Sequence, residues 1–384
     1  MRKSPYTGLM VAASVSIGAA TALGQVSLES DIAQLDSYLR NYNLISFGNA
    51  SFAGSQDTHG GLAVAGDLFL GSGTDVAQRD DLFGLSSDPT LYVGGQLTTN
   101  GTVHLENGYA ALPGLSGSWS YDSVTQRLSN NGNSTLLSSS NAYGGGTTLA
   151  GSDPRGNPTP ADWDWSAMST AVTGISTNIA NATANGTMSL NSGALTFDAG
   201  AITEGVVVFD LDLSRFNNVV YDFNDDGVFE FNSEKVDRIV MNIPDDVVFA
   251  INVRNGTDGD VLFGNSIGIN FNGGDNMDQL LWNIVPDSDP LTTDSMSLGG
   301  GASFYGTVLA PLVDLSNIGN VAPNGQIIAA NYSHNANAEL HYVGFDAPVS
   351  FSAVPEPRTW SLIALAFAAV AMEFHRRRRR RIEA

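Results

Sequence analysis

Ile32, Leu35, Leu39 and Tyr42 recur at spacings of three, four and three, with Ser30 ahead of them as an N-cap. The pattern predicts an amphipathic helix over Ser30–Asn41. Trp165, Met168, Val172, Ile175 and Ile179 repeat the rule at three, four, three and four, just after Pro160, and predict a second helix over Ala161–Asn181. Both stripes read as faces packed on a core. Most of the remainder is short apolar runs closed by glycine or asparagine. These predict strands at Gly61–Gly66, Thr90–Gly95, Thr102–Leu105, Gly205–Leu211, Val247–Val253, Thr307–Ala310 and Gln326–Ala330. Small side chains stack inside a coil of parallel strands, and glycine relieves its bends. No fixed period repeats, so an irregular coil is expected and a regular solenoid is not. The Ser/Gly/Asn-rich stretch Ser116–Gly156 reads as a long surface excursion.

Charge narrows the partners. Nine of the 17 basic residues sit at the two chain ends, which leaves eight against 36 acidic ones between Gln25 and Val354, a formal charge of −28. Such a surface repels phosphate backbones and argues against nucleic acid as a partner. The chain has no cysteine, which removes disulfides, thiolate catalysis and cysteine-based zinc sites together.

The ends carry addresses. Arg2 and Lys3 precede an apolar, small-residue run from Leu9 to Ala20, and Ala22 and Gly24 form a small-residue cleavage site. Residues 1–24 thus read as a signal peptide removed by signal peptidase, with Gln25 the first mature residue. At the other end Pro355, Glu356 and Pro357 precede an apolar stretch, Trp360–Met372, and then Arg376, Arg377, Arg378, Arg379, Arg380 and Arg381. Thirteen helical residues reach roughly 20 Å, short of a hydrocarbon core of about 30 Å, and the arginines hold that end on the cytoplasmic side. Residues 355–384 therefore read as a transient inner-membrane anchor. They closely resemble the PEP-CTERM sorting signal. The resemblance implies a Gram-negative bacterium whose exosortase cuts near the motif and delivers the protein to the cell surface or the medium.

Between the addresses, residues 25–354 show no charge block or proline-rich linker that would divide them. Phe47-Gly48, the run Gly60–Gly66, Gln279–Asn283, Gly306–Pro311, Asn324–Ala329 and Glu339–His341 resemble, in order, the motifs of the choice-of-anchor A domain. The resemblance covers roughly Asn41–Phe345. It implies a mainly β, irregular right-handed β-helix-like domain, similar to ice-binding domains, with a helix packed on its side. It also implies an adhesin-like role.

One segment has metal-ligand spacing. Asp222, Asn224, Asp226 and Glu230 occupy positions 1, 3, 5 and 9 of a calcium loop, Gly227 its sharp turn, and Val228 offers its carbonyl. Ser233 stands where the loop's bidentate glutamate belongs, and Asp226-Gly227 equally suits a hairpin turn. Calcium is the cofactor expected, if any. His334, Glu339 and His341 lie too far apart along the chain for a helical ligand pair, and zinc is not expected there. Three classes of function stay open. The favoured one is a secreted, non-catalytic surface or extracellular-matrix protein, adhesin-like and associated with biofilm or exopolysaccharide. The second is a polysaccharide-active β-helix enzyme, which for hydrolysis needs facing carboxylates roughly 5 to 9 Å apart. The third is an ice-binding module, which needs a flat rank of threonines; Thr98-Thr99 and Thr147-Thr148 form no such ladder.

Overall fold

A strand with neighbours on both sides and cover on both faces leaves no position for an unpaired polar side chain, so it reads as an apolar run. Tyr42–Ser46 (β1), Gly61–Val64 (β2), Leu91–Val93 (β3) and Ala110–Ala111 (β4) are of this kind. So are the centres of Glu204–Asp212 (β5), Asp246–Arg254 (β6) and Leu280–Ile284 (β7), and the first halves of Thr307–Asn317 (β8) and Ile327–His334 (β9). The computed structural model describes residues 28–79, 88–125, 127–130, 134–138, 153–159, 163–213, 216–217, 230–231, 234–254, 260–262, 268–272, 276–286, 295–298, 304–317, 322–335 and 338–348. In it these strands form one parallel face of a coil, in the order β5-β6-β7-β8-β9-β1-β2-β3-β4. The early coils thus continue a stack that the late coils begin. The seam is the pairing of β1 with β9, in the register Leu44↔Ile327 and Ile45↔Ile328.

Alternate residues of this first face point into the coil and out of it. Leu44, Leu62, Phe209, Phe249, Trp282 and Val308 fill the interior. Ile45, Ala63, Tyr92, Val206, Val248, Leu281 and Ile328 point the other way and meet two helices. The first helix, α1, covers residues 28–39. Ser30 is therefore inside it and is not its N-cap, because buried Leu28 extends the apolar stripe one turn upstream. It closes at Arg40, whose φ of 46° is left-handed.

The second helix, α2, spans Trp165–Asn181 and not Ala161–Asn181. Its cap is Asp164, whose carboxylate accepts the N–H groups of Ser166 and Ala167 at 2.9 and 3.0 Å. Met168, Val172, Ile175 and Ile179 are buried as the stripe requires, while Trp165 is only half-buried. The chain has to return from β4 at one end of the stack to β5 at the other. Nine strands at about 4.8 Å put those ends about 38 Å apart, and 17 helical residues span about 26 Å of it. Trp165 accordingly stacks on Tyr92 of β3 at one end of α2. At the other end Asn283 of β7 donates to the Ser176 carbonyl, Asn252 of β6 to that of Ile179, and Arg254 to that of Ala180. The strands thereby supply donors to carbonyls in the last turns of α2, and Arg254 takes the Ala180 carbonyl that the helix end leaves unpaired.

Past the first face each coil turns a corner where rungs approach closely. A Cβ at Gly66 would stand 2.7 Å from the Gly48 carbonyl oxygen, so glycine is required there. The second face runs through Ser295–Leu298, the ends of β8 and β9, then Ala50–Phe52, Leu68–Leu70 and Leu97–Thr99, all parallel. The third face is built in two stretches. One joins Ala194–Asp198, Arg238–Asn242 and Ile269–Phe271. The other passes from Phe304–Tyr305 through Pro323–Asn324, His341, Thr58 and Thr74–Val76 to Thr102–Leu105. The fold is mainly β and β-helix-like, irregular in coil length, with a helix packed on its side.

The expectation of a surface excursion at Ser116–Gly156 needs correction. Trp119–Asp122 and Arg127–Asn130 form an antiparallel hairpin, and Ser134–Ser138 pairs parallel with Thr102–Leu105. Trp119 and Leu128 are buried, so two apolar residues in a polar stretch suffice to dock it on the coil.

Candidate functional site

Two arrangements bring polar side chains together from distant coils. On the second face the strand registers align Ser297, Ser316, Ser333, Ser51, Phe69 and Thr98 in one outward row. Adjacent strands lie about 4.8 Å apart, so this is a straight rank of hydroxyls interrupted by one aromatic ring. Ser297 Oγ and Ser316 Oγ are 2.7 Å apart. Thr98 is exposed, Ser316, Ser333, Ser51 and Phe69 are half-buried, and Ser297 at the end of the row is buried. Beside the rank, an amide ladder stiffens the corner. Asn331 donates to Asp314, and the backbone N–H groups of Asn49, Asp67 and Gln96 donate in turn to the side chains of Asn331, Asn49 and Asp67. Both helices lie on the first face, so among the described residues no helix covers this one.

On the third face, the bridge Thr58↔Leu340 at the seam places His59 over His341. Their rings stack with centroids 4.6 Å apart. Glu339 Oε2 lies 2.9 Å from His341 Nε2 and 3.5 Å from His59 Nε2. Burial pushes the His59 pKa down, the neighbouring His341 adds to this and Glu339 opposes it, while Arg79 lowers it further. Two coils along, His104 Nδ1 meets Asp75 Oδ1 at 2.7 Å, with buried Glu106 close by.

The structure thus joins Glu339 and His341, but to His59, which sequence spacing could not supply. His334 is elsewhere. It is fully buried, stacked on Phe52, takes the Tyr332 hydroxyl on Nδ1 and donates from Nε2 to the Ala338 carbonyl. Burial brings its pKa down to about 4, so it is a neutral core residue. The hydroxyl rank was also invisible to sequence reading. Each coil contributes one residue to it, and the coils are not stacked in chain order.

Of the calcium-loop residues, Asp222, Asn224, Asp226 and Val228 lie outside the described residues; Glu230 begins the short strand Glu230–Phe231, which pairs antiparallel with Phe216–Asn217. Residues 1–24 and the sorting residues Pro355, Glu356, Pro357 and Arg376 to Arg381 also lie outside them. Among the described residues no helix is long and apolar enough to cross a membrane.

Over residues 36–342 the chain matches the family described as "Putative Ice-binding-like adhesive domain", and it belongs to that family. Similar solved structures include three ice-binding proteins. An ice-binding protein from the Antarctic ascomycete Antarctomyces psychrotrophicus shares 11% identity over 79% of this chain and 95% of that one, with a TM-score of 0.33. A glycosylated ice-binding protein from an Arctic yeast shares 13% over 87% and 96%, at 0.31. An ice-binding protein domain from Shewanella frigidimarina shares 10% over 79% and 95%, at 0.32. Overlap at that level leaves the fold argument resting on the strand registers. No curated protein matches the chain.

Proposed function

We propose that the protein is a secreted, non-catalytic, adhesin-like component of the cell surface or extracellular matrix, and that its second face binds polysaccharide. The observation that carries this reading is the rank of Ser297, Ser316, Ser333, Ser51, Phe69 and Thr98 on a face that, among the described residues, no helix covers. Sugar hydroxyls both donate and accept hydrogen bonds, as serine hydroxyls do, and an aromatic ring between them offers a surface for the apolar face of a sugar. The membership in an adhesive-domain family supports the same reading. In this proposal the finer family is choice-of-anchor A. Signal peptidase and an exosortase process the two ends, and the inner membrane holds the C-terminal segment only in transit.

A second reading follows from the even spacing of the hydroxyls, which also suits ordered water at an ice surface. The break at Phe69 and the use of serine instead of threonine weigh against it. Two assays on the same protein separate them. Retention on immobilised exopolysaccharide from the producing organism is expected to fall at least about tenfold in Ser333→Arg and Phe69→Ala. Ice recrystallisation should be unaffected by wild type. Inhibition of recrystallisation that disappears in Ser333→Arg, without polysaccharide retention, would replace adhesion with ice binding.

Calcium at Asp222, Asn224, Asp226, Val228 and Glu230 belongs to the same proposal, as a stabiliser of the acidic segment. Native-state binding at 100 times the dissociation constant contributes about 2.7 kcal/mol. Wild type should melt higher in calcium than in magnesium at matched ionic strength, and Asp222→Ala/Asp226→Ala should lose that difference. Equal gains from both cations in both proteins would reduce the effect to charge screening.

A further inference from the structure

His59, Glu339 and His341 bring two imidazoles and one carboxylate together at the seam of the coil. Asn324 fixes the His341 tautomer. Its Nδ2 donates to the Phe304 and Ala322 carbonyls, so its Oδ1 is turned to His341 Nδ1 at 2.9 Å and demands a proton there. A neutral His341 then carries its lone pair on Nε2, which lies 2.9 Å from the Glu339 carboxylate. Either a proton on Nε2, which makes the contact an ion pair, or a metal ion between the two atoms holds them at that distance, and metal titration separates the two. His59 Nε2 lies 3.5 Å from the same oxygen, and all three atoms are within 4.8 Å of one another.

A tetrahedral ion with bonds of about 2.0 to 2.1 Å holds its ligand atoms about 3.3 Å apart. The two separations to Glu339 already bracket that value, and the ligand atoms of the two histidines lie within 4.8 Å of each other. The side chains of His59, His341 and Glu339 are 23%, 36% and 47% exposed, which leaves room for water to complete the shell. Two imidazoles and one carboxylate suit zinc and its neighbours, whereas calcium and magnesium prefer oxygen ligands alone. The contact from Asn324 to Nδ1 is the outer-shell bond that ligating histidines commonly make. Exposed Arg79, close to His59, is the one cationic neighbour that opposes an incoming ion, and Glu339 offsets it.

We propose that His59, Glu339 and His341 form a site for a divalent transition-metal ion of the zinc class, and that the ion staples the seam of the coil. Its placement carries the second half of that statement. Thr58 and Leu340 bridge the first coil of the chain to the last, so one ion bound here ties together segments nearly the whole domain apart in sequence. Closing so long a loop is the step at which an added cross-link helps the folded state most.

The test uses the untagged full chain stripped with EDTA. Titration with zinc chloride should show one equivalent bound, and cobalt chloride should produce a visible d–d absorption band. The melting temperature should rise with the logarithm of zinc concentration. His59→Gln and His341→Gln should lose the cobalt band and the thermal shift. Asn324→Ala should weaken binding about 10- to 100-fold. Glu339→Gln keeps the shape of an exposed side chain and so keeps the fold; it should weaken binding at least about tenfold. His104→Gln, at the neighbouring Asp75 pair, should bind as wild type does. Absence of zinc binding, binding unchanged in Glu339→Gln, or a cobalt band displaced by a hundredfold excess of magnesium would each overturn the site. None of these outcomes depends on the polysaccharide reading, so either can fail alone.

Discussion

Two strands contribute to two faces, and the contrast between their halves is instructive. In β8, Val308 to Pro311 are buried without a break, whereas Asp314 to Asn317 alternate half-buried with buried. In β9, Ile327 to Ala329 are buried, and Asn331 to His334 alternate in the same way. The backbone is parallel β throughout; the interior side is apolar in the first halves and mostly apolar in the second, where the buried Asn317 and His334 stand among Val313, Leu315 and Tyr332. The difference is what lies outside. Under α1 and α2 an outward residue must be apolar or, like Asn252 and Asn283, hydrogen-bonded to the helix, because a buried polar group without a partner costs roughly 1 to 3 kcal/mol. On the second face the same geometric position holds Ser316 and Ser333, both half-buried, with Ser316 Oγ hydrogen-bonded to Ser297 Oγ. One coil thus uses one face for stability and, in the function proposed above, the other for recognition.

That contrast can be broken from the covered side first. Met168→Asp puts a carboxylate where α2 meets the first face, at a position only 3% exposed. The loss should be at least about 4 kcal/mol, since apolar burial is lost and an unpaired charge is buried. Thermal melting of the variant checks it, and an unchanged melting temperature would mean the helix does not cover the strands.

His334 sharpens the contrast in the interior, where a polar group survives only by being paired and neutral. A free histidine titrates near 6.5, and this one is brought down to about 4. As pH falls, the unfolded chain takes up this proton first. Its contribution to stability is therefore complete above about 6.5 and is lost between about 6.5 and 4. The span amounts to about 3 kcal/mol. Asp36 acts in the opposite sense. Burial, and then Asp346, raise its carboxyl to about 6, so the stability it adds at low pH is lost as pH rises from about 4 to 6. The measurement is consequently a difference. Denaturant unfolding from pH 7 to 4 should fall less for His334→Gln than for wild type, and parallel curves would end the assignment.

A smaller loss is expected at the helix terminus. Asn283→Ala removes the donor to the Ser176 carbonyl and to Asn252 Oδ1, leaving buried acceptors short of a partner. About 2 kcal/mol should go, read from the denaturant midpoint at constant slope. Smallest of all, Ser333→Arg on the open face should change stability by no more than about 0.5 kcal/mol, although it is expected to abolish retention on polysaccharide. A large loss of stability there would show that this face is covered too.

Periodicity and turn residues were enough to read the two helices, six of the nine strands of the first face and a coil without a fixed repeat, but not Ala110–Ala111, Leu280–Ile284 or Tyr42–Ser46, whose Tyr42 the helical spacing had claimed. Met168, Val172, Ile175 and Ile179 announce a buried stripe by spacing alone, and Gly61 to Val64 announce a strand. These are local signals, set by backbone geometry and by which side chains avoid water. The stacking order was not legible. Nothing between Tyr42 and Ile328 says that the first coil rests on the last, because that pairing is fixed by the return of the chain along α2 and not by any adjacent residues. Everything that depends on the seam was hidden with it. His59 and His341 become neighbours through the Thr58↔Leu340 bridge, and Ser51 joins Ser333 through the pairing of Ala50–Phe52 with β9. Even His334, close to Glu339 in sequence, is turned into the core by the alternation of β9, while Glu339 and His341 remain at the surface. Sequence determines which segments form strands and helices; tertiary register decides which side chains share a site, because only it brings distant coils to within about 4.8 Å.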